Sequence, residues 1–469
     1  MNFKDVIAIC DRSLTICCRR TASLAVIASL ILFLLSFAAD GQSLREMLEK
    51  AKANYPILKA KRLESTAKQE QVRYARSGVV PSLDAGYQVN YATYNNITGM
   101  ATTQPFVPIS GPPSATNSSQ GVFGSVAGLL LNWDVFTFGQ RSSAIATSTA
   151  SRDYQTADEQ NEIFQHTIRT ANACLDVLIT AELIQVYKRN LSRSEENLRM
   201  VRALTRSGLR PGVDTALYQA EVAKARIELL NYSKLLQAQQ LQVSELLGDY
   251  EITSVVVDTL YATRLPVLPD TTMSIPHPLI TLSASRAKIA LQESSQLRHS
   301  LYPKLSLWGT AYGRGSGIRY DGYVHSEDGL SFSRYNYGAG LVLSVPLLQF
   351  MRTRYQIRSQ SALVEASEER LNATKLQLTK QQQLADVTFS SAMKIAAESP
   401  AFLEASTYAY KGSLSRFNAG LLTYAELIQA QYALVQSEAD LKKAHVEAWR
   451  ALLYIAAVRG DLNLFINQL

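Results

Sequence analysis

The hydrophobic pattern of this chain changes period several times along its length. From Leu83, the apolar residues Leu83, Ala85, Tyr87, Val89 and Tyr91 alternate with Ser82, Asp84, Gly86, Gln88 and Asn90. A period of two predicts a strand with one apolar and one wet face. A second strand is predicted on Phe123, Ser125, Ala127, Leu129, Leu131, Trp133 and Val135, and a strand in the same phase on Tyr335, Tyr337, Ala339, Leu341, Leu343, Val345 and Leu347. The stretches 95–120 and 313–333, rich in Pro, Gly, Ser and Thr, read as long mobile polar loops. From Gln140 to Arg206 there is neither Gly nor Pro. An unbroken helix of that length would run about 100 Å at 1.5 Å per residue. Phe164, Ile168, Ala171, Leu175 and Leu178 step by four and three, and Ile184, Tyr187, Leu191, Leu198 and Val201 resume the rhythm after a slip. That is coiled-coil spacing with a stutter. Ser207-Gly208 and Ala419-Gly420 end the two long helices where Gly suits a left-handed cap, and a further helix follows each turn. The helix after Gly420 carries a stripe of Leu427, Ala430, Leu434, Ser437, Leu441, Ala444, Ala448 and Ala451, small enough for close packing.

The pattern occurs twice. Asn54-Tyr55-Pro56-Ile57-Leu58 matches Pro276-His277-Pro278-Leu279-Ile280, and Val80-Pro81-Ser82-Leu83 matches Tyr302-Pro303-Lys304-Leu305 at the same offset. Leu129, Leu131 and Phe138 match Leu341, Leu343 and Phe350, and Gly208-Leu209 with Asp214 and Gln219 match Gly420-Leu421 with Glu426 and Gln431, at a second offset ten residues shorter. One indel reconciles the halves, and the repeat unit reads helix, strand, strand, long helix, tight turn, helix. The resulting division is a signal peptide at 1–41, a first repeat at 42–248 with strands near 82–96 and 121–138, a connector at 249–275, and a second repeat at 276–469 with strands near 304–313 and 334–349.

Composition narrows the class. The chain has 469 residues, 47% of them hydrophobic, which excludes general disorder. Only 19% are charged, and 23 Tyr against 14 Phe and 3 Trp favours surfaces that are part apolar and part wet. The formal charge of +7 is spread thinly without a basic run, which argues against a nucleic-acid partner. Thr21 to Ala39 is uncharged and mostly apolar, follows Arg19-Arg20, and ends in small residues before Gln42-Ser43, the pattern of a secretory signal peptide. Cys10, Cys17 and Cys18 fall in that leader, so the mature chain would keep Cys174 alone, without a disulfide framework or a cysteine zinc site. Cys174 sits on the helix seam as a small buried hydrophobe. No later segment holds about 18 consecutive apolar residues, so a membrane crossing by the mature chain must be made by strands. Four strands cannot close a membrane barrel, whose smallest form needs about eight. Two, three or four copies would supply eight, twelve or sixteen, and the pattern does not choose between them. His166, His277, His299, His325 and His445 show no metal-ligand spacing, and Gly313-Arg314-Gly315-Ser316-Gly317 shares only its glycine count with a phosphate loop and reads as a surface loop. Neither a catalytic constellation nor a cofactor site is expected.

In the duplicated entry helices, the [Val/Tyr]-Pro-x-Leu strand starts and the turns Arg206-Ser207-Gly208-Leu209 and Arg416-Phe417-Asn418-Ala419-Gly420-Leu421, the sequence resembles the TolC-like outer-membrane efflux proteins. The resemblance spans about 44–464. It implies a homotrimer whose twelve-stranded outer-membrane β-barrel, set in lipid, is continued by a long α-helical periplasmic tunnel, in the outer membrane of a Gram-negative bacterium. It implies a passive exit duct of a tripartite efflux or type I secretion system, fed by a periplasmic adaptor and an inner-membrane pump of RND, ABC or MFS type. By resemblance, Asp214 and Glu426, each six positions past a turn glycine, would narrow the periplasmic entrance, and Gly208, Leu209, Gly420 and Leu421 would dock the adaptor. Six carboxylates around a trimeric pore would attract cations and raise one another's pKa. The plainer reading of each acid is a favourable charge in a helix's first turn. The chain has Gln429, Leu422 and Phe417 where the family has a second acid, a basic partner and a tyrosine hydroxyl, leaving Arg210 to supply a different latch between helix pairs. The competing class is a periplasmic coiled-coil scaffold or adhesin stalk.

Overall fold

A computed structural model describes residues 43–93, 95, 116–250, 259–268, 276–319 and 323–468. The expected signal peptide, most of the first polar loop and much of the expected connector lie outside them. The helices are α1 (Leu44–Asn54), α2 (Pro56–Ser77), α3 (Gln140–Arg206), α4 (Gly212–Leu247), α5 (Pro278–His299), α6 (Gln349–Asn418), α7 (Tyr424–Arg459) and the short α8 (Asn463–Ile466), with β1 (Ser82–Thr93) and β2 (Gly121–Phe136) before α3, and β3 (Lys304–Ser316) and β4 (Arg334–Ser344) after α5. Both halves therefore share the run helix, two strands, long helix, helix, with α1 added before the first run and α8 after the second. Among the described residues no helix is long and apolar enough to cross a membrane. The chain divides into two compact units: one within Met1–Pro56, Gln165–Ile275 and Gln382–Leu469, the other within Ile57–Phe164 and Pro276–Gln381.

The second unit holds one antiparallel sheet in the order β1-β2-β3-β4. Residues directly opposed in an antiparallel ladder share a face. The register sets Leu83 against Leu131, Ala85 against Leu129 and Tyr91 against Phe123, then Leu131 against Gly309 and Trp133 against Leu307, then Leu307 against Leu341 and Ala311 against Tyr337. One apolar face therefore spans all four strands. Leu83, Tyr87, Val89 and Tyr91 on β1, Leu129 on β2, and Tyr335, Tyr337, Leu341 and Leu343 on β4 are exposed there. The opposite face carries Asp84, Gln88, Asn90, Asn132, Asp134, Ser306, Thr310, Arg314, Arg334 and Asn336. β4 stops at Ser344 although the alternation continues to Leu347, because Pro346 has no N–H for the ladder. The described residues of the second polar segment are more ordered than a free loop. Gly317 donates to the Phe123 carbonyl at 2.9 Å, Ile318 bridges Val324, and 326–330 forms a 3₁₀ turn. Gly329 is needed there, since an added Cβ would lie 1.8 Å from the Phe123 oxygen. The helices of this unit show the duplication directly: the hydroxyls of Ser65 and Thr156 lie 3.4 Å apart, and those of Ser283 and Thr374 repeat the contact at 3.4 Å.

The first unit is a helical bundle. α1 starts with a capping box between Ser43 and Glu46 and buries Leu44, Met47, Leu48 and Ala51. These pack in one cluster with Cys174, Leu175 and Leu178 of α3, Val243 and Leu247 of α4, and Trp449, Leu452 and Leu453 of α7. The Trp449 indole meets Tyr261 edge-on at 5.1 Å, and its Nε1 donates to the Arg264 carbonyl at 2.8 Å. Most of the stripe on α7 is buried, including Leu427, Leu434, Ser437, Ala444, Ala448 and Ala451, while Ala430 and Leu441 are half-buried.

Candidate functional site

The two helix–helix turns of the helical unit are built alike. At the α3–α4 turn, Gly208 has φ +74°, its N–H bonds the Thr205 carbonyl at 3.1 Å, and Leu209 N–H reaches back to Leu204 at 3.0 Å. At the α6–α7 turn, Gly420 has φ +75°, bonds Phe417 at 3.0 Å, and Leu421 reaches Arg416 at 2.9 Å. Both are Schellman caps, which place the residue after the last helical turn in the left-handed region where a Cβ is penalised. Nothing lies within 4 Å of a Cβ added at either glycine, so backbone conformation alone requires it. Each cap leaves a leucine in solvent: Leu209 is 72% exposed and Leu421 71%.

The two first-turn acids sit in different surroundings. Pro211 precedes α4 with no side-chain cap, and Asp214 instead pairs with Arg210, Nη1 to Oδ2, at 3.5 Å with both side chains mostly buried. Glu426 closes a capping box on α7: it accepts from Thr423 Oγ1 at 2.7 Å and from Thr423 N–H at 2.8 Å. Those hydrogen bonds, the hydroxyl first, hold its carboxyl below the ordinary carboxylate range although it is fully exposed. Each acid is thus held within its own turn.

What joins the turns is aromatic and cationic. The Arg210 guanidinium lies over the Phe417 ring at 4.2 Å and donates Nη2 to the Phe417 carbonyl at 3.3 Å. Tyr218 and Phe417 are fully buried, with centroids 6.2 Å apart, and Tyr218 meets Tyr424 edge-on at 4.6 Å. Tyr424 Oη donates to the Leu217 carbonyl at 3.1 Å. Burial pushes the Tyr218 phenol up, and its hydroxyl has no hydrogen-bond partner among the described residues.

Deeper along the bundle lies a polar cluster that the apolar periodicity passed over. Gln431, fully buried on α7, donates Nε2 to Asn190 Oδ1 and Ser194 Oγ, both at 2.9 Å, and accepts from Asn197 Nδ2 at 3.1 Å. Asn190, Ser194 and Asn197 step by four and three on α3, the spacing of a seam carried by polar residues. Beside it Tyr432 Oη donates to Glu221 at 2.6 Å while Lys224 covers its ring at 4.3 Å. Arg193 pairs with Glu438 at 2.7 Å and Lys442 with Glu182 at 2.9 Å.

The outer membrane efflux protein family matches residues 47–249 and 277–460. No curated protein matches the chain by sequence. Among solved structures, the outer membrane protein VceC from Vibrio cholerae superposes with a TM-score of 0.72 at 15% identity, covering 89% of this chain and 96% of that one. CusC gives a TM-score of 0.74 at 12% identity, covering 90% of this chain and 93% of that one. The CmeC outer membrane channel of Campylobacter jejuni gives 0.71 at 13% identity over 89% and 85%. These structures share the fold of this chain. The family match runs through both copies and stops between them in the segment that separates α4 from α5, and on that ground the chain belongs to the outer membrane efflux protein family.

Proposed function

We propose that three copies of this chain close a twelve-stranded barrel in the outer membrane and that the protein is a passive, non-catalytic exit duct for cargo delivered by an inner-membrane pump, of RND, ABC or MFS type, through a periplasmic adaptor. The observation that carries this reading is the four-stranded sheet with an exposed apolar face and two outer edges. An edge facing hydrocarbon leaves backbone groups unsatisfied at several kcal/mol each. Pairing β4 of one copy with β1 of the next removes that cost, turns the apolar face to lipid and encloses the polar face. Residues 1–41 act as the signal peptide, 42–248 and 276–469 are the two efflux repeats, and 249–275 connects them. Gly208, Leu209, Gly420 and Leu421 form the adaptor-docking turns, supported by the two exposed leucines on matching caps. Asp214 and Glu426 form the acidic constriction at the periplasmic mouth.

The test is single-channel recording of purified protein in planar bilayers. Replacing both Asp214 and Glu426 with Ala is expected to raise conductance and weaken cation preference. Unchanged currents would refute the constriction, and wild-type protein that never conducts would refute the duct.

A further inference from the structure

We propose that Arg314 and Arg334 form a binding site for a multivalent oxyanion, phosphate- or carboxylate-bearing, at the loop end of the polar face of the sheet. The two residues are directly opposed in the β3–β4 ladder. They fall in phase with Ser306, Thr310 and Tyr312, and so on the polar face, opposite to the phase of Leu307 and Ala311. Like charges facing each other across strands are destabilising, and a sheet that keeps such a pair ordinarily supplies a counter-charge.

None is present. Among the described residues neither guanidinium has an ion pair, and no side-chain hydrogen bond reaches either of them. The other cations of this sheet and its loop are balanced: Lys304 lies 3.7 Å from Asp134, and Arg319 lies 3.4 Å from Asp328 and over the Tyr323 ring. The acids of the polar face, Asp84 and Asp134, stand toward the helix end. Arg314 is level with Val126 on β2, so Asp134 is roughly 26 Å away along the strand at 3.3 Å per residue. Among the strand residues themselves, the polar face is thus acidic toward the helices and basic toward the loops, and Glu327 and Asp328 stand on the 326–330 turn beside it.

The neighbours are suited to an anion. Val126 beside Arg314 and Gln88 beyond it carry no charge, and Asn336 on the same face adds a neutral donor. Arg334 is exposed and Arg314 half-buried, so both forks are open to solvent. Two planar forks side by side fit the paired oxygens of a phosphate or carboxylate bidentately, as a lysine pair would not. A bilayer headgroup lies on the wrong side of the sheet to reach them, so the ligand is a soluble anion in the enclosed space. This inference rests on the proposal that the polar face lines a lumen, where three copies would place six guanidiniums near the exit.

The test uses detergent-solubilised full-length protein and radiolabelled tripolyphosphate in equilibrium dialysis, with conductance measured in parallel. Wild type is expected to bind, R314Q/R334Q to lose at least tenfold in affinity, R314K/R334K to fall between, and R319Q, whose charge Asp328 already balances, to match wild type. Binding should also raise the thermal midpoint of wild type and leave that of R314Q/R334Q unmoved, which separates loss of the site from loss of folding. Equal binding by wild type and R314Q/R334Q, or none by either, overturns the site. The parallel recordings keep the two readings apart: binding without conduction removes the duct and leaves the site, and conduction with equal binding does the reverse.

Discussion

Arg210 ties the α3–α4 turn to the α6–α7 turn through both charge and shape, and its removal gives a calculable effect. In Arg210→Ala the guanidinium leaves the Phe417 ring, where it lies at 4.2 Å with its side chain 18% exposed. A cation over an aromatic face that is mostly desolvated contributes about 1 kcal/mol or somewhat more. The 3.3 Å bond to the Phe417 carbonyl adds at most about 1 kcal/mol. The 3.5 Å pair with Asp214 adds about 0.5 kcal/mol or less, being partly open to water. Together these give about 2 kcal/mol, and at 1.4 kcal/mol per tenfold the separated state of the turns becomes roughly 30-fold more populated. Amide hydrogen exchange reads that population directly when closing is faster than exchange. Amides in 204–218 and 412–424 should exchange roughly 30-fold faster in the variant, while those around Trp449 should be unchanged. Arg210→Lys, which keeps the charge and loses the planar fork, should fall between. Exchange at the turns within threefold of wild type would refute the cross-link.

Other substitutions probe separate parts of the account. Gly420→Ala, forced to hold φ +75° with a Cβ, should cost about 1 kcal/mol, read as a lower thermal midpoint, with the matching loss in Gly208→Ala at φ +74°. Gln431→Ala strands Asn190, Ser194 and Asn197 inside the bundle and should destabilise by about 3 kcal/mol or more in denaturant titration; a loss under about 1 kcal/mol would mean that water replaces the amide freely. Burial pushes the Cys174 thiol up to about 12, so maleimide at pH 8 should leave the folded protein unlabelled and modify it on denaturation. Desolvation lowers the His445 pKa, so the folded state binds this proton less readily than the unfolded chain. His445 therefore supports stability above about pH 6.5 and withdraws it as the pH falls below that value, a slope that His445→Gln should flatten in melting curves.

The strands and helices were legible because their periods were clean. Leu83 through Tyr91 alternate without a fault, and the residues between Gln140 and Arg206 contain nothing that stops a helix. Gly208 and Gly420 announced their caps, since only a left-handed residue explains a lone glycine between two helical patterns. Pairing was not legible. That Arg314 faces Arg334 follows from the β3–β4 register, which an alternating pattern constrains only to within two residues. The Gln431 cluster was hidden for a similar reason, because its partners on α3 are more than 200 residues away and polar residues on a seam read as interruptions of it. The resemblance marks Arg210 as a different latch between the helix pairs, but that it meets an aromatic ring and a carbonyl at Phe417 depends on how those pairs dock. The order within 313–319 and 323–333 is not legible because glycines there read as flexibility, whereas Gly317 and Gly329 permit close backbone approach to Phe123.

Channel formation requires that copies of the chain share one barrel. The direct measurement is the native mass of protein extracted from outer membranes in detergent, before and after heating, with the amino-terminal residue determined on the same sample. Three times the mass of one processed chain, falling to a single chain on heating, with an amino terminus near Gln42, is the expected result. A stable single chain retaining residues 1–41 would contradict it, because four strands alone cannot satisfy their edges in lipid.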